Sequence, residues 1–246
     1  MMTELLLVEG VSDVQLISYY LQNVYGWKHI KENDLGVVPV DQYEHIESLS
    51  NEDNQIVLCG VGGNGKISHF IEVHRLHAMI VEKDISSIMI VVDRDEESVA
   101  KIGKRINNSF EAVRFKIGEW TSNEVTNHFG QNKNIDSYLL IVPAIGQGAL
   151  EKVIINALDD IKEEHDLIHE VTEFIDSLKL GLVPELTKMN KANKAAVGTY
   201  FSVRDPQNAM RSFGVFISKV NWAESQTLKE LFAPFQFLGK DKPKNK

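Results

Sequence analysis

The sequence predicts an α/β protein: a mostly parallel, Rossmann-like sheet with helices on both faces, followed by a helical C-terminal extension. Three observations carry this. Short apolar, β-branched runs alternate with helical patterns over the first two-thirds of the chain, as βαβ units require. The run SSIMIVVD at 86–93 is apolar on both faces, the mark of a buried central strand. After Pro143 the strand pattern stops and helical spacing takes over.

The chain has 246 residues, 43% hydrophobic and 25% charged, an ordinary balance for a chain that folds around a core. ELLLV at 4–8 reads as the first strand, because no basic segment precedes it and Glu9 interrupts it at once. SDVQLISYYLQNVYG at 12–26 reads as a helix, capped by Ser12 or Asp13 and stopped by Gly26. The polar stretch 27–54 suggests a loop-rich insertion with a short strand near Gly36–Val40. QIVLCG at 55–60 is the second good strand, followed by a glycine loop and a helix over 65–83. A helix at 95–108 follows the central strand, EAVRFKI at 111–117 is a weaker strand, and DSYLLIVP at 136–143 is the last. Helices are expected at 148–160, 162–179, 186–202, 206–218 and 224–232. The resulting division is an α/β domain at 1–145, a helical extension packed on it at 146–238, and a flexible tail at 239–246.

Composition narrows the function classes. Cys59 is the only cysteine, so no internal disulfide can form, which suits a reducing, cytoplasmic setting. No apolar run is long enough to span a membrane. The net charge is −9, so a nucleic-acid partner would have to be met by local basic patches and bridging metal ions. A partner protein or a homo-oligomer is compatible with this composition.

The acids fall at strand ends. Glu9 closes the first strand ahead of Gly10, with Asp13 one turn further on, and Asp93 closes the central strand with Asp95 two residues later. In open parallel sheets, function gathers at the carboxyl ends of the strands. Two carboxylates about 4 Å apart repel by roughly 1–4 kcal/mol. Such a cluster must therefore protonate, recruit bases or bind a cation. With no histidine or cysteine beside them in sequence, these acids suit Mg²⁺ or Mn²⁺, and metal-assisted phosphodiester chemistry. The plainer alternative, an acid capping a helix or a solvated D-x-D, is the better reading of either pair alone.

LLLVEGVSD at 5–13, carrying E-G-x-x-D, and IMIVVDRDEE at 88–97, carrying D-x-D, resemble the TOPRIM (topoisomerase–primase) superfamily. Within it the chain is similar to small stand-alone proteins of unknown function, related to nucleases of the overcoming-lysogenisation-defect type. GVGGNGK at 60–66, LLIVPAIGQGALEKVII at 139–155 and KANKAAVGTYF at 191–201 support that likeness. The resemblance implies a metal-dependent nuclease of DNA or RNA. Glu9 would act as general acid/base or ligand, Asp93 and Asp95 would hold Mg²⁺, and Asp13 would assist or hold a second ion. Glu151 would be an extra ligand or merely a first-turn acid facing its helix dipole. Gly10 would keep the loop tight where phosphate approaches. Where many TOPRIM enzymes have a glycine soon after D-x-D, this chain has Glu96, Glu97 and Ser98.

The glycine loop is nearly a P-loop, but Ile67 stands where the magnesium-binding hydroxyl belongs. Gly62, Gly63 and Lys66 could present N–H groups and an ammonium to phosphate, or simply make a tight turn. Two rivals to the nuclease thus stand: a non-catalytic metal, nucleic-acid or protein-binding module of a defence or repair system, and a nucleotide-binding switch. His74 and His77 read as solvated, Lys188, Lys191 and Lys194 as a basic stripe or plain surface, and Trp120 and Trp222 as packing residues. Lys240, Lys242, Lys244 and Lys246 read as a solubilising tail.

Overall fold

The computed structural model describes residues 2–63, 65–127, 129–179, 182–209 and 211–243. Asn64 of the glycine loop and Lys244 and Lys246 of the basic tail lie outside them. The chain divides into two compact units: Met1–Asp93 with Glu97–Ile141 and Pro234–Lys246, and Arg94–Glu96 with Val142–Ala233.

The first unit is built on β1 (Thr3–Val8), β2 (Lys28–Ile30), β3 (His45–Asn51), β4 (Asn54–Gly60), β5 (Ile85–Asp93), β6 (Thr121–Thr126) and β7 (Asn132–Val142). They form one sheet in the order β2-β3-β4-β1-β5-β7-β6. The centre is parallel, with β1 pairing both β4 and β5 in that sense, while β2–β3, β3–β4 and β6–β7 are antiparallel. Every residue of β1 is buried, which is why its LLLV run at 5–8 is apolar without alternation.

One face carries the main core. Leu5, Leu7, Val57, Cys59, Ile88, Ile90 and Val92 cluster there with residues of α2 (Ile67–Val73), α3 (Leu76–Glu82) and α4 (Val99–Ser109). The alternate residues Leu6, Val8, Ile56 and Leu58 point the other way, and α1 (Val11–Tyr25) packs on β3 and β4. Helices thus cover both faces, as the sequence predicts. Gly26, at φ 73, ends α1 in the left-handed conformation that glycine adopts without steric penalty.

Three local expectations are corrected. Gly36–Val40 is not a strand: the Asn33 side chain donates to the Val37 carbonyl and accepts from its N–H, both at 3.0 Å, and so replaces ladder bonds. The insertion instead contributes β2 and β3. The segment 111–117 makes only isolated bridges, because Asn107 takes both backbone groups of Phe115, at 2.9 and 3.0 Å. The single helix expected over 65–83 is two, divided at Arg75, whose φ of 50 no helix can accommodate.

The end of the chain is not a free tail over its described part. Phe235 and Leu238 are buried, Asn54 donates to the Gly239 carbonyl at 3.1 Å, and the buried Lys242 ammonium is paired with Glu4 of β1. Lys242 also lies 4.9 Å from the centre of the Trp120 ring.

The second unit is helical: α5 (Leu150–Asp160), α6 (Lys162–Lys179), α7 (Met189–Arg204), α8 (Phe213–Ile217) and α9 (Gln226–Leu231). α5, α6 and α7 pack on one another through Val153, Ile154, Ile168, Val171, Ala196 and Val197, at helical spacing. Asp160, at the end of α5, accepts from the Thr227 N–H at 2.6 Å and the Ser225 hydroxyl at 3.0 Å, anchoring the start of α9. Trp222 is buried and donates to the Ile217 carbonyl at 2.8 Å, so it is a packing residue, as expected. Among the described residues no helix is long and apolar enough to cross a membrane.

Candidate metal centre and the glycine loop

In the first unit, Glu9 follows β1 and is 5% exposed. Its Oε1 accepts from the backbone N–H of Asp93, the last residue of β5, at 3.2 Å. Because β1 and β5 are parallel neighbours in register, their two terminal acids reach one edge of the sheet. The sequence places them there, and here the structure agrees.

Asp13 is bonded to the backbone at the start of α1. It stands in the first turn of α1, and its Oδ2 accepts from the Gly10 N–H at 2.8 Å. That bond satisfies a backbone donor at the helix start and aligns a negative charge with the helix dipole. Gly10 is extended, with φ −139 and ψ 177, so its backbone does not need glycine. Gly60 is closely packed. A Cβ there would lie 3.0 Å from Val14 Cγ2 and 3.1 Å from the Gly10 carbonyl oxygen, so the start of α1 would have to shift slightly away from the end of β4 to admit one. Gly60→Ala is expected to cost about 1–3 kcal/mol by overpacking, read as a lower urea midpoint. An unchanged midpoint would show that the helix start gives way without cost.

The glycine loop lies beside Glu9. The Gly63 N–H donates to the Glu9 carbonyl at 2.7 Å, and the Val61 N–H to the Val8 carbonyl at 2.9 Å. The N–H groups of Gly10 and Gly63 thus already serve internal acceptors, and in this conformation neither cradles a phosphate. Lys66 is directed to Asp41 Oδ2 at 3.6 Å and lies 4.9 Å from the centre of the Tyr43 ring. Gly62, at φ 88, sits against Tyr43, whose Cβ is 3.1 Å from where a side chain would begin. Tyr43 and Asp41 come from the segment before β3, so the partners of this lysine lie outside any P-loop pattern. His74 is also not solvated. Its ring is buried, bonded at 2.9 Å to the buried Glu44, whose carboxylate also accepts from the Val40 N–H at 2.8 Å.

In the second unit, Asp95 has a left-handed backbone, φ 48. Side chains other than glycine, asparagine and aspartate rarely adopt it. Asp95 exchanges both backbone bonds with Gly148, at 2.6 and 3.0 Å, and its Oδ1 accepts from Asn190 Nδ2 at 2.7 Å. Glu151, in the first turn of α5, lies 3.7 Å from Lys194 of α7. Lys191 of the same helix is paired with Glu185, so two lysines of the basic stripe are already engaged by acids. In the first unit, Glu97 pairs with Lys101 at 2.6 Å and Arg105 at 3.3 Å.

Among the described residues no three His, Cys, Asp or Glu side chains are gathered so as to hold a metal ion. What is present at the sheet edge is a pair of oxygen-donor side chains, Glu9 and Asp93. Magnesium commonly needs only one or two carboxylates, completing its shell with water and substrate phosphate. The donor chemistry fits a hard, open site of that kind.

These features define an α/β sheet protein with acids at the carboxyl edge of its central parallel strands. The chain belongs to the family described as "Protein of unknown function (DUF3226)", whose model matches residues 3–236. No curated protein matches it. A solved structure, a hypothetical protein from Pyrococcus horikoshii OT3, is 16% identical, with a TM-score of 0.48, over 95% of this chain and 99% of that one.

Proposed function

We propose that the protein is a divalent-metal-dependent nuclease, hydrolysing phosphodiester bonds of DNA or RNA in the manner of the TOPRIM enzymes its motifs resemble. The observation that supports this most is the bond between Glu9 Oε1 and the Asp93 N–H, which ties E-G-x-x-D to D-x-D through adjacent parallel strands. A bound Mg²⁺ or Mn²⁺ would polarise the scissile phosphate and offset charge on the leaving oxygen. Asp93 contributes a carboxylate oxygen, and Asp95 enters by its D-x-D spacing. Glu9 is largely shielded from water, and its carboxylate is oriented by the Asp93 amide. It serves as ligand or as the base that takes a proton from attacking water. Asp13, committed to the Gly10 amide, acts by fixing the start of α1, on which the turn carrying Glu9 depends.

The test uses purified protein with single- and double-stranded DNA and RNA, plus Mg²⁺ or Mn²⁺. Cleavage is expected to fall at least about a hundred-fold in Glu9→Gln and in Asp93→Asn, on the order of 2.7 kcal/mol of barrier. Cleavage that survives both substitutions would remove the proposal. A second reading, a non-catalytic metal, nucleic-acid or protein-binding module, is favoured by Glu96, Glu97 and Ser98 after D-x-D and by the net charge of −9. Metal binding without turnover on all four substrates would select it.

A further inference from the structure

The segment 37–44, ahead of β3, is held in place without a strand ladder. The Asn33 side chain takes both backbone groups of Val37, and the Glu44 carboxylate takes the Val40 N–H while buried against His74. Asp41 Oδ1 accepts from the Tyr43 N–H at 2.9 Å. The ring that this pinned strap carries is nevertheless left in water, with Tyr43 60% exposed. We propose that Tyr43 and Lys66 receive single-stranded nucleic acid, Tyr43 stacking on an unpaired base and Lys66 meeting a neighbouring phosphate. This names the substrate class of the nuclease reading above and rests on its nucleic-acid partner.

The Lys66 ammonium lies 4.9 Å from the centre of the Tyr43 ring. An exposed ring and a cation side by side offer a partner to each half of a nucleotide, its base and its phosphate. Lys66 is free to change partner. Its contact with Asp41, at 3.6 Å, is longer than a hydrogen bond, and both side chains are 39% exposed, so the pair is a weak one that a phosphate can displace. The place is set by the glycine loop. A side chain at Gly62 would begin 3.1 Å from the Tyr43 Cβ, and the next residue, Gly63, donates to the Glu9 carbonyl at 2.7 Å. A strand gripped by Tyr43 and Lys66 therefore lies against the loop that is bonded to Glu9. Paired bases are stacked inside a duplex and offer the ring no face, which selects a single strand. An apolar protein partner would use the ring together with the exposed Val38 and Val40 of the same strap, and would be indifferent to the lysine.

Fluorescence anisotropy of the full chain with labelled single-stranded DNA, single-stranded RNA and duplex DNA tests this. Binding is read in EDTA, so that it needs no metal, and cleavage separately in Mg²⁺. The wild type is expected to bind at least one kind of single strand, and the duplex more weakly. Tyr43→Ala should weaken single-strand binding about five- to one-hundred-fold, while Tyr43→Phe keeps it. Lys66→Met should weaken it too, and lower the slope of log affinity against log salt by about 0.7, the share of one phosphate. Asp41→Asn keeps an acceptor for the Tyr43 N–H but releases Lys66, so binding should strengthen, by up to about five-fold. Such a gain cannot come from a misfolded variant. Val38→Ser should bind as the wild type does. Binding that survives both Tyr43→Ala and Lys66→Met, no gain in Asp41→Asn, a duplex held as tightly as the single strands, or no binding at all overturns the inference, whatever the cleavage assay shows. A loss in Val38→Ser equal to that in Tyr43→Ala overturns it in favour of a general apolar surface. Binding that depends on Tyr43 and Lys66, with no cleavage by the wild type, upholds the inference and removes the nuclease.

Discussion

Replacing Lys242 with methionine is expected to destabilise the protein by about 3–5 kcal/mol, the usual consequence of leaving one member of a buried ion pair alone. Glu4 lies within β1 and is wholly buried, and the Lys242 side chain is 5% exposed. The ammonium also donates to the Phe237 carbonyl at 2.7 Å and the Lys240 carbonyl at 3.2 Å, so one side chain ties the end of the chain to its first strand. Burial pushes the Glu4 carboxyl above 4.5, and Lys242 pulls it back. A carboxyl whose pKa is raised on folding contributes stability that is complete below the unfolded value and lost as pH rises through the folded one. Removing Lys242 removes the opposing pull, so the deficit should be small near pH 4 and full at pH 7. Urea unfolding at the two pH values reads this directly. The double variant Glu4→Gln/Lys242→Met should recover most of the loss, since no unpaired charge is then buried. Equal deficits at both pH values, or no recovery in the double variant, would mean that Lys242 acts through packing on Trp120 alone.

That lysine also marks where sequence reading stops. Four strands, at 4–8, 55–60, 86–93 and 136–143, are legible because strands buried on both faces must be continuously apolar, and no other element of that length is. β6 is not legible. Its TSNEVT sequence buries only Asn123 and Val125, and Asn123 is satisfied there by Ser137 Oγ at 3.0 Å, the Ile135 carbonyl at 3.3 Å and the Arg114 N–H at 2.8 Å. A polar residue at the centre of such a network looks like a loop residue until its partners are known. β3 fails for a similar reason, since HIESLSN mixes polar and apolar residues along an antiparallel strand near the sheet edge. Lys242 looks like a solubilising lysine because its partner is 238 residues away in sequence.

The candidate site divides in the same way. Glu9 and Asp93 are legible because the carboxyl ends of parallel strands are fixed by topology once the strands are known. What the neighbouring groups do is not. Asp13 answers a local backbone donor, Lys66 is drawn to a segment more than twenty residues upstream, and Asn190 meets Asp95 across 95 residues of sequence. Polar side chains have several partners of nearly equal merit, and the fold chooses among them.

The helical unit holds the second large effect, at Glu164 of α6. This buried carboxylate accepts from the Tyr200 hydroxyl at 2.6 Å and from Arg204 Nε and Nη2 at 2.9 and 3.1 Å, both on α7. Burial alone would raise its pKa, but the Arg204 and Tyr200 hydrogen bonds outweigh it and hold the carboxyl below 4.5. The same contact, with burial, pushes the Tyr200 hydroxyl well above its ordinary range. Glu164→Ala is expected to cost about 3 kcal/mol, near the lower end for a broken buried pair because the half-exposed Arg204 can rehydrate. Glu164→Gln keeps the shape and an acceptor for Tyr200 but loses the charge, so it should cost about 1.5–3 kcal/mol. A carboxyl whose pKa is lowered on folding gives stability that is present above the unfolded value and lost as pH falls through the folded one. The wild type should therefore exceed Glu164→Gln by the full margin at pH 7, and the two should converge below about pH 4. The carboxyls of Glu4 and Glu164 are shifted in opposite directions by the fold, yet both deficits grow from low to neutral pH, because each appears only when the carboxyl is ionised. A Glu164→Gln deficit that is independent of pH would show that α6 and α7 are held at this point by shape, with the charge of Glu164 contributing nothing.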